Sequence, residues 1–401
     1  MAQMAKILAI NSGSSTLKWK LFQMPEEQVI ASGMVDRLGL SDSVFTVKYG
    51  DSQKFSQTGD IKTPEIAVDL LLKKLIELKI IEDYAEIQGV GHRIVAGGEI
   101  FDRSVLVDEK ALANIESLAE YAPLHNPAEA DGIRAFSKLL PNVPEVAVFD
   151  TSFHTTMPPM NYLYSIKREY YDKFGARKYG AHGTSNRYVS GRAAEMLGKD
   201  LSDLNLVVMH LGSGVSVTAI KNGKSYDTSM GFTPLAGVTM STRSGDIDAS
   251  LVAFLMQKLN ITDPEAMVQI LNEESGLLAL SELSPDMRDL ENSRDTQPDS
   301  QLAIDIFANR IIKYVAGYIA ELGGVDALIF TAGIGEGDKV MRKRIVDGLS
   351  VFGAKIDDDR NDVMGQEQRI SSDDSKVDVL LIPTNEELMI ARDVMTLSNQ
   401  H

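Results

Sequence analysis

Residues 7–22 read ILAINSGSSTLKWKLF: an unbroken apolar run, a glycine–serine break, then an alternating run. Ile7 to Ile10 has the pattern of a strand buried on both faces. Leu17, Trp19 and Leu21 alternate with polar neighbours, as a half-buried strand does. Between them, Ser12-Gly13-Ser14-Ser15 reads as a tight turn. The same grammar returns in residues 206–220, LVVMHLGSGVSVTAI. There Leu206 to Met209 is apolar, Gly212-Ser213-Gly214 turns, and Val215, Val217 and Ala219 alternate. Glycine lets backbone N–H groups approach an anion closely, and serine adds hydroxyl donors. Two such hairpins predict a duplicated α/β unit that grips one phosphate-bearing ligand from both sides.

Composition bounds this reading. At 401 residues the chain exceeds what one hydrophobic core usually organises, so two domains are expected. A formal net charge of −17 argues against nucleic acid or an anionic membrane as the main partner, because both select basic surface. Anionic substrates would have to be captured by local arginines against that field. There are no cysteines, which excludes disulfides and thiolate metal sites and fits a cytosolic setting. No window approaches ~18 consecutive apolar residues, so no membrane-spanning helix is expected. The short apolar run after Lys6 is too brief for a signal-peptide core.

Helices and strands alternate along the chain. Thr63-Pro64-Glu65 supplies an N-cap, a first-turn proline and an early acid for a helix with Val68, Leu71, Leu72, Leu75 and Leu78 on one face. Further helices open at Asp108, at Asn126-Pro127 and at Asp263-Pro264, and a long one runs from about Leu302 to Leu322 before Gly323-Gly324. Val146 to Phe149 reads as a buried strand ending at Asp150, and Ala327 to Phe330 as another leading into Gly333-Ile334-Gly335-Glu336-Gly337. Thr384-Asn385 begins a C-terminal helix. This pattern predicts α/β layers with largely parallel sheets. The boundary is placed after Asp150, giving domains of residues 1–150 and 151–384, with residues 385–401 packing back on the first. Residues 227–246, DTSMGFTPLAGVTMSTRSGD, show neither helical nor strand period; a stretch of this kind is usually functional or misassigned.

Arg93 lies between glycines in GHRIVAGGE, and Arg243 between small hydroxyl residues in STRSGD. Two guanidinium forks of this kind can bracket a carboxylate and a transferring phosphoryl group. Asp150 ends a buried strand, where ligands of open α/β sheets collect; it also reads as a cap for Thr151-Ser152. His182 stands in GAHGTS with little apolar packing. His125 reads either as a helix-start residue or as a site group, and His154 as a satisfied buried histidine. His210 ends the strand before the second glycine turn. No HxxxH or HExxH spacing is present, so a protein-caged zinc site is not expected. Thr384 and Glu387 fit a capping box, leaving Glu386 as the better candidate to hold a metal-bound water. Neither the GxxxxGK[ST] pattern nor a strand-to-helix GxGxxG occurs.

Taken in order, NSGSSTLK, GHRIVAGGE, APLHNP, FDTSFHTTMP, YGAHGTS, HLGSGVSV, DTSMGFTPLAG, TRSGDID, TAGIGEG and PTNEEL resemble the acetate and propionate kinase family of the actin-like ATPase superfamily. The resemblance covers nearly the whole chain. It implies two duplicated actin-like (ribonuclease H-like) domains with a central cleft, and reversible phosphoryl transfer from ATP to acetate, giving acetyl phosphate and ADP. It implies Mg²⁺, for which Mn²⁺ can substitute, held by Asn11 and Glu386, with Lys18 near the nucleotide phosphates. His210, Leu211, Gly212, Ser213 and Gly214 would contact phosphates. Asp286, Met287 and Arg288 would contact the nucleotide, and Gly333, Ile334, Gly335, Glu336 and Gly337 the adenosine, which a flat glycine turn would admit against backbone. Arg93, Asp150, His182 and Arg243 would be catalytic, with Arg93, Val95, Leu124, His125 and Pro234 lining the substrate pocket. A cytoplasmic homodimer joined through the second domain is implied as well, with no nucleic-acid or membrane partner.

Four positions depart from the family pattern: Ala96 stands where histidine is common, Asn186 follows GTS in place of histidine, Ser213 replaces asparagine and Ser241 glycine. None removes a residue assigned to phosphoryl transfer. A valine at position 95 leaves less room than alanine, which favours acetate over propionate or butyrate. A non-metabolic actin-like ATPase would share the hairpins without needing an arginine-bracketed carboxylate site, and a pyrophosphate-dependent relative would lack nucleotide dependence.

Overall fold

In the computed structural model, which describes residues 4–13, 15–122 and 125–398, each glycine-turn segment is a hairpin within its own sheet. The first sheet comprises β1 (Ala5–Ser12), β2 (Thr16–Met24), β3 (Gln28–Asp36), β4 (Ser43–Tyr49), β5 (Gln53–Gly59), β6 (Ile87–Ile94), β7 (Val105–Leu106) and β8 (Glu145–Phe149). They lie in the order β5-β4-β3-β2-β1-β6-β8-β7. The second comprises β9 (Asn205–Leu211), β10 (Val215–Lys221), β11 (Lys224–Thr228), β12 (Ala327–Thr331), β13 (Gln368–Arg369) and β14 (Asp378–Leu381), in the order β11-β10-β9-β12-β14-β13. In both, two antiparallel hairpin pairings are followed by two parallel ones. The run β3-β2-β1-β6-β8 therefore matches β11-β10-β9-β12-β14 in order and direction. The fold is α/β, two copies of the actin-like ATPase domain. One compact unit runs to Phe153 and resumes at Asn385; the other spans His154–Thr384.

In the first unit, Leu8, Ile10, Leu17, Trp19 and Leu21 pack with Val68, Leu71, Leu72 and Leu75 of helix Pro64–Glu77. Thr63 caps that helix by accepting the Ile66 N–H at 3.3 Å. Strand alternation sends Val90 into this cluster and turns Gly89 and Gly91 to the opposite face. There helix Glu386–Ser398 lies so close that a Cβ at Gly91 would overlap Ile390, and one at Gly89 would overlap Val394. The glycines in this strand are a seat for the C-terminal helix.

In the second unit, Val207, Met209, Leu211, Val215 and Val217 pack with Phe307, Ile311 and Val315 of helix Pro298–Leu322. That helix begins four residues earlier than its apolar period indicates, because Pro298 supplies a preset first turn. Beyond Thr228, residues 229–246 form no helix or strand, yet Met230, Val238 and Met240 are buried. Asp246 accepts the Gly237 N–H at 2.8 Å and donates its own N–H to Gly237 O at 2.8 Å. Gly245 adopts φ +70°, and a side chain there would strike the Gly237 and Val238 carbonyls. The segment is irregular but tightly held. Among the described residues no helix is long and apolar enough to cross a membrane.

Two local expectations are corrected. The Thr384 N–H donates to Glu336 Oε1 at 3.1 Å, so no capping box forms. Asn385 Oδ1 accepts from Leu388 N–H at 3.3 Å, and Glu387 pairs with Lys20 at 3.0 Å. The TAGIGEG glycines make a short helix, Ala332–Gly337, rather than a flat turn.

Candidate active site

The first unit gathers an arginine and three acids. β6 and β8 are parallel neighbours with Arg93 opposite Val148, which brings Arg93 and Asp150 to the same strand ends. Arg93 donates to Asp150 Oδ2 from Nε at 3.1 Å and from Nη2 at 2.6 Å. Burial opposes the charge on Arg93, yet Asp150, Glu386 and Glu129 together raise its pKa. Burial pushes the Glu129 carboxyl up to about 8, against the pull of the Val95 N–H and Arg93. Glu386 is also raised by burial; Arg93 opposes that rise and the Asp150 charge reinforces it. Asn11 and Lys18 face each other across the β1–β2 hairpin. Val95 is buried with Ala96 and Ala122. His125 immediately precedes helix Asn126–Leu139 and makes no side-chain cap bond. Leu124 lies outside the described residues.

Burial of Glu386 beside Asp150 makes a site whose negative charge a cation would offset. Among the described residues no group of three His, Cys, Asp or Glu side chains could hold a metal ion. The oxygen donors of Asn11 and Glu386 are of the kind a hard cation such as Mg²⁺ takes.

The second unit gathers histidines, a glycine turn and the other arginine. His182 sits at φ 58° before helix Gly183–Leu197, where its Nδ1 lies 2.9 Å from Ser216 Oγ. Its ring stacks on His210 at 4.0 Å and 17°, and His210 Nδ1 lies 2.9 Å from Ser185 Oγ. A Cβ at Gly214 would stand 3.4 Å from His182 Nε2 and 3.6 Å from Arg243 Nη1, so these three residues converge. The irregular segment delivers Arg243: Ser241 N–H donates to Ser213 O at 3.2 Å, and Arg243 Nη1 donates to Pro234 O at 3.2 Å. Arg243 makes no ion pair among the described residues, and burial lowers its pKa. A half-buried guanidinium without a counterion fits an anionic ligand.

The nucleotide candidates fall in two further places. Glu336 Oε1 accepts from the N–H of Ala332 at 2.9 Å and of Thr384 at 3.1 Å, so its carboxylate braces the Gly333–Gly337 helix. Asp286 caps helix Met287–Ser293 and pairs with the exposed Arg288, while Met287 is buried in the core. Sequence reasoning passed over Arg342, whose buried guanidinium donates to Gly335 O, Glu336 O, Val363 O and both oxygens of Asn361. It also passed over Glu129, Asn126 and Ser216. Only an acid or amide at the start of an apolar helix face could have marked the first two.

The departures from the family pattern are only partly satisfied: among the described residues the buried Asn186 Oδ1 has no hydrogen-bond partner. Asn186 is buried and donates to Thr218 Oγ1 at 3.1 Å, and Ala96 exchanges two hydrogen bonds with the Asn126 side chain.

Residues 6–392 match the profile of the acetokinase family. Acetate kinase 1 of Latilactobacillus sakei is 62% identical over 394 residues, covering 98% of this chain and 100% of that protein. The acetate kinase of Enterococcus faecalis is 60% identical over 395 residues, with 98% and 100% covered. The crystal structure of Porphyromonas gingivalis acetate kinase matches with a TM-score of 0.94 at 41% identity, covering 98% of this chain and 99% of that one. A propionate kinase from Francisella tularensis matches with a TM-score of 0.92 at 39% identity, covering 98% and 100%.

Proposed function

The chain belongs to the acetokinase family, and on that premise we propose that it is an acetate kinase, reversibly transferring the terminal phosphoryl group of ATP to acetate. An acetate oxygen forms a bond to phosphorus as the bond from that phosphorus to the ADP oxygen breaks. Acetate is ionised at neutral pH, so no proton has to be removed from the nucleophile. The protein's work is then positioning and charge neutralisation.

The roles follow the family pattern, and for Arg93, Asp150, His182 and Arg243 the surroundings support them. Arg93, aimed by Asp150, takes the acetate carboxylate, with Val95, Leu124, His125 and Pro234 limiting its alkyl end. Arg243 and His182 offset charge on the transferring phosphoryl oxygens, and His210 to Gly214 supply phosphate contacts. Lys18 serves the nucleotide phosphates, Asp286 to Arg288 the nucleotide, and Gly333 to Gly337 the adenosine. Asn11 and Glu386 would hold Mg²⁺ or Mn²⁺ through its waters, and that ion supplies charge neutralisation to the nucleotide. The observation that carries the reading is Arg243: a half-buried cation beside a glycine turn and a histidine, with no anion among the described residues to pair with.

A hydroxamate assay with ATP and acetate, propionate or butyrate tests it. Acetate-dependent acyl phosphate formation is expected, with catalytic efficiency falling along the series. ATP hydrolysis indifferent to carboxylate would point to a non-metabolic ATPase instead, and a clear preference for propionate would favour that sister activity.

The second unit also carries an apolar surface helix, Ala249–Leu259, in which no residue is buried and Leu251, Phe254 and Leu259 are exposed beside Ile247. We assign this face to a second copy of the chain in a cytoplasmic homodimer. Sedimentation of Phe254→Asp is expected to give monomers; an unchanged dimer would move the interface elsewhere.

A further inference from the structure

The β6 ladder ends at Ile94, opposite Phe149, and the backbone beyond it stays buried. Three consecutive N–H groups there are met by side chains in place of a neighbouring strand. Val95 N–H donates to Glu129 Oε2 at 3.1 Å, Ala96 N–H to Asn126 Oδ1 at 3.2 Å, and Gly97 N–H to Thr151 Oγ1 at 2.9 Å. Asn126 closes its side of the grip by donating to Ala96 O at 3.0 Å and Ile115 O at 3.1 Å. Glu129 and Asn126 occupy the first turn of helix Asn126–Leu139, and Thr151 follows Asp150. All three are buried. A buried N–H has to be paired somewhere, but a glutamate carboxyl is an expensive group to place at such a position when a strand or a serine would serve.

We propose that Glu129 is a positioning residue that sets acyl-chain selectivity: with Asn126 and Thr151 it fixes the backbone at 95–97 and so holds the Val95 side chain as the floor of the carboxylate pocket. This rests on the acetate kinase reading, in which Val95 limits the alkyl end of the substrate. The clamp also ties the two ends of the pocket. Arg93 precedes the clamped residues by two positions, and Asp150, which aims Arg93, donates its N–H to Ile94 O at 2.9 Å. Losing the Glu129 acceptor removes the fixed partner of Val95 N–H and so frees the residue whose side chain meets the substrate to shift. A looser floor admits an extra methylene.

The test compares acetate and propionate in the hydroxamate assay for wild type, Glu129→Gln, Glu129→Ala and Thr151→Val, with thermal melts alongside. Glu129→Ala is expected to lower the acetate-to-propionate ratio of kcat/KM by about tenfold, mainly through a higher KM for acetate, with KM for ATP little changed. Glu129→Gln keeps an oxygen acceptor and is expected to hold the ratio within about twofold. A folded Glu129→Ala enzyme that melts lower but keeps the wild-type ratio shows a structural role only and overturns the proposal. Should Glu129→Ala not fold, Thr151→Val, which keeps shape but loses the Gly97 acceptor, decides: a fall of about threefold supports the clamp and an unchanged ratio overturns it. A wild-type protein inert toward both acids overturns the acetate kinase reading, and the clamp with it.

Discussion

Arg93 directs both Nε and Nη2 at a single oxygen of Asp150, Oδ2, at 3.1 and 2.6 Å. Nη1 has no partner among the described residues, so the guanidinium is anchored along one edge and keeps donors for a carboxylate. Asp150 is buried, at 1% exposure, while Arg93 is partly open at 21%. Removing the acid strands a cation that its surroundings have already largely desolvated. Asp150→Ala is expected to lose about 3 kcal/mol of stability and about 10²-fold or more in turnover. Asp150→Asn still offers an oxygen to Arg93, so its melting temperature should recover further than its rate. Chemical denaturation and the hydroxamate assay check both; near-normal turnover in folded Asp150→Ala would reject the assignment.

Arg243 makes the opposite case. It pairs with no acid among the described residues, and burial disfavours its charge. Arg243→Ala is expected to melt at or above the wild-type temperature while turnover falls by about 10³-fold. Added phosphate or sulfate should raise the wild-type melting temperature and leave that of the variant unmoved. Loss of stability without loss of rate would make Arg243 a structural residue.

These two arginines show what can be read from sequence here. Both hairpins, the strand ending at Asp150, and the cap and apolar face of helix Pro64–Glu77 follow from short-range rules: period, turn residues and capping. What lay beyond reach depends on partners distant in the chain. Thr384 and Glu387 have the spacing of a capping box, yet Glu336, 48 positions away, takes the Thr384 N–H. Glu387 is engaged instead by Lys20, 367 positions away. Arg342 looks like any basic helix residue until the five carbonyl-type acceptors around it are seen. The irregular segment at 229–246 carries no period because its backbone bonds follow no repeat: Asp246 closes on Gly237 within it, while Ser229, Ser241 and Ser244 donate to Val217, Ser213 and Leu271 outside it.

Glu129 makes stability depend on pH in a direction unusual for a carboxylate. Its folded pKa, about 8, lies above the ordinary 4.5, so the folded protein holds a proton that the unfolded chain releases. The benefit is complete below about pH 4.5 and is lost as pH climbs towards about 8. Glu129→Gln does not titrate. The melting temperature of wild type minus that of the variant should therefore fall steadily across this window, and a flat difference would contradict the buried neutral acid.

Substrate choice should turn on position 95. Val95 is buried against Ala96 and Ala122, so Val95→Ala opens space at the alkyl end of the proposed pocket. Its ratio of catalytic efficiency, propionate over acetate, is expected to rise by about tenfold, the worth of one methylene in an apolar site. A ratio that does not move places the selectivity filter elsewhere.

The seat of the C-terminal helix can be probed by adding one methyl group. A Cβ at Gly91 would overlap the Ile390 side chain, and Ile390 belongs to the helix whose first residue is Glu386. Gly91 has an ordinary strand conformation, so alanine meets no backbone strain and its only obstacle is the helix. Gly91→Ala is expected to cost about 1–3 kcal/mol and to weaken activation by Mg²⁺, because the helix must retreat and carry Glu386 with it. Ile390→Ala alone leaves a cavity and is destabilising as well. In the double variant the new methyl fills part of that cavity, so the two changes should offset each other by about 1 kcal/mol or more. Denaturation of all four proteins measures this coupling. Simple additivity would mean that the glycine is not there to admit the helix.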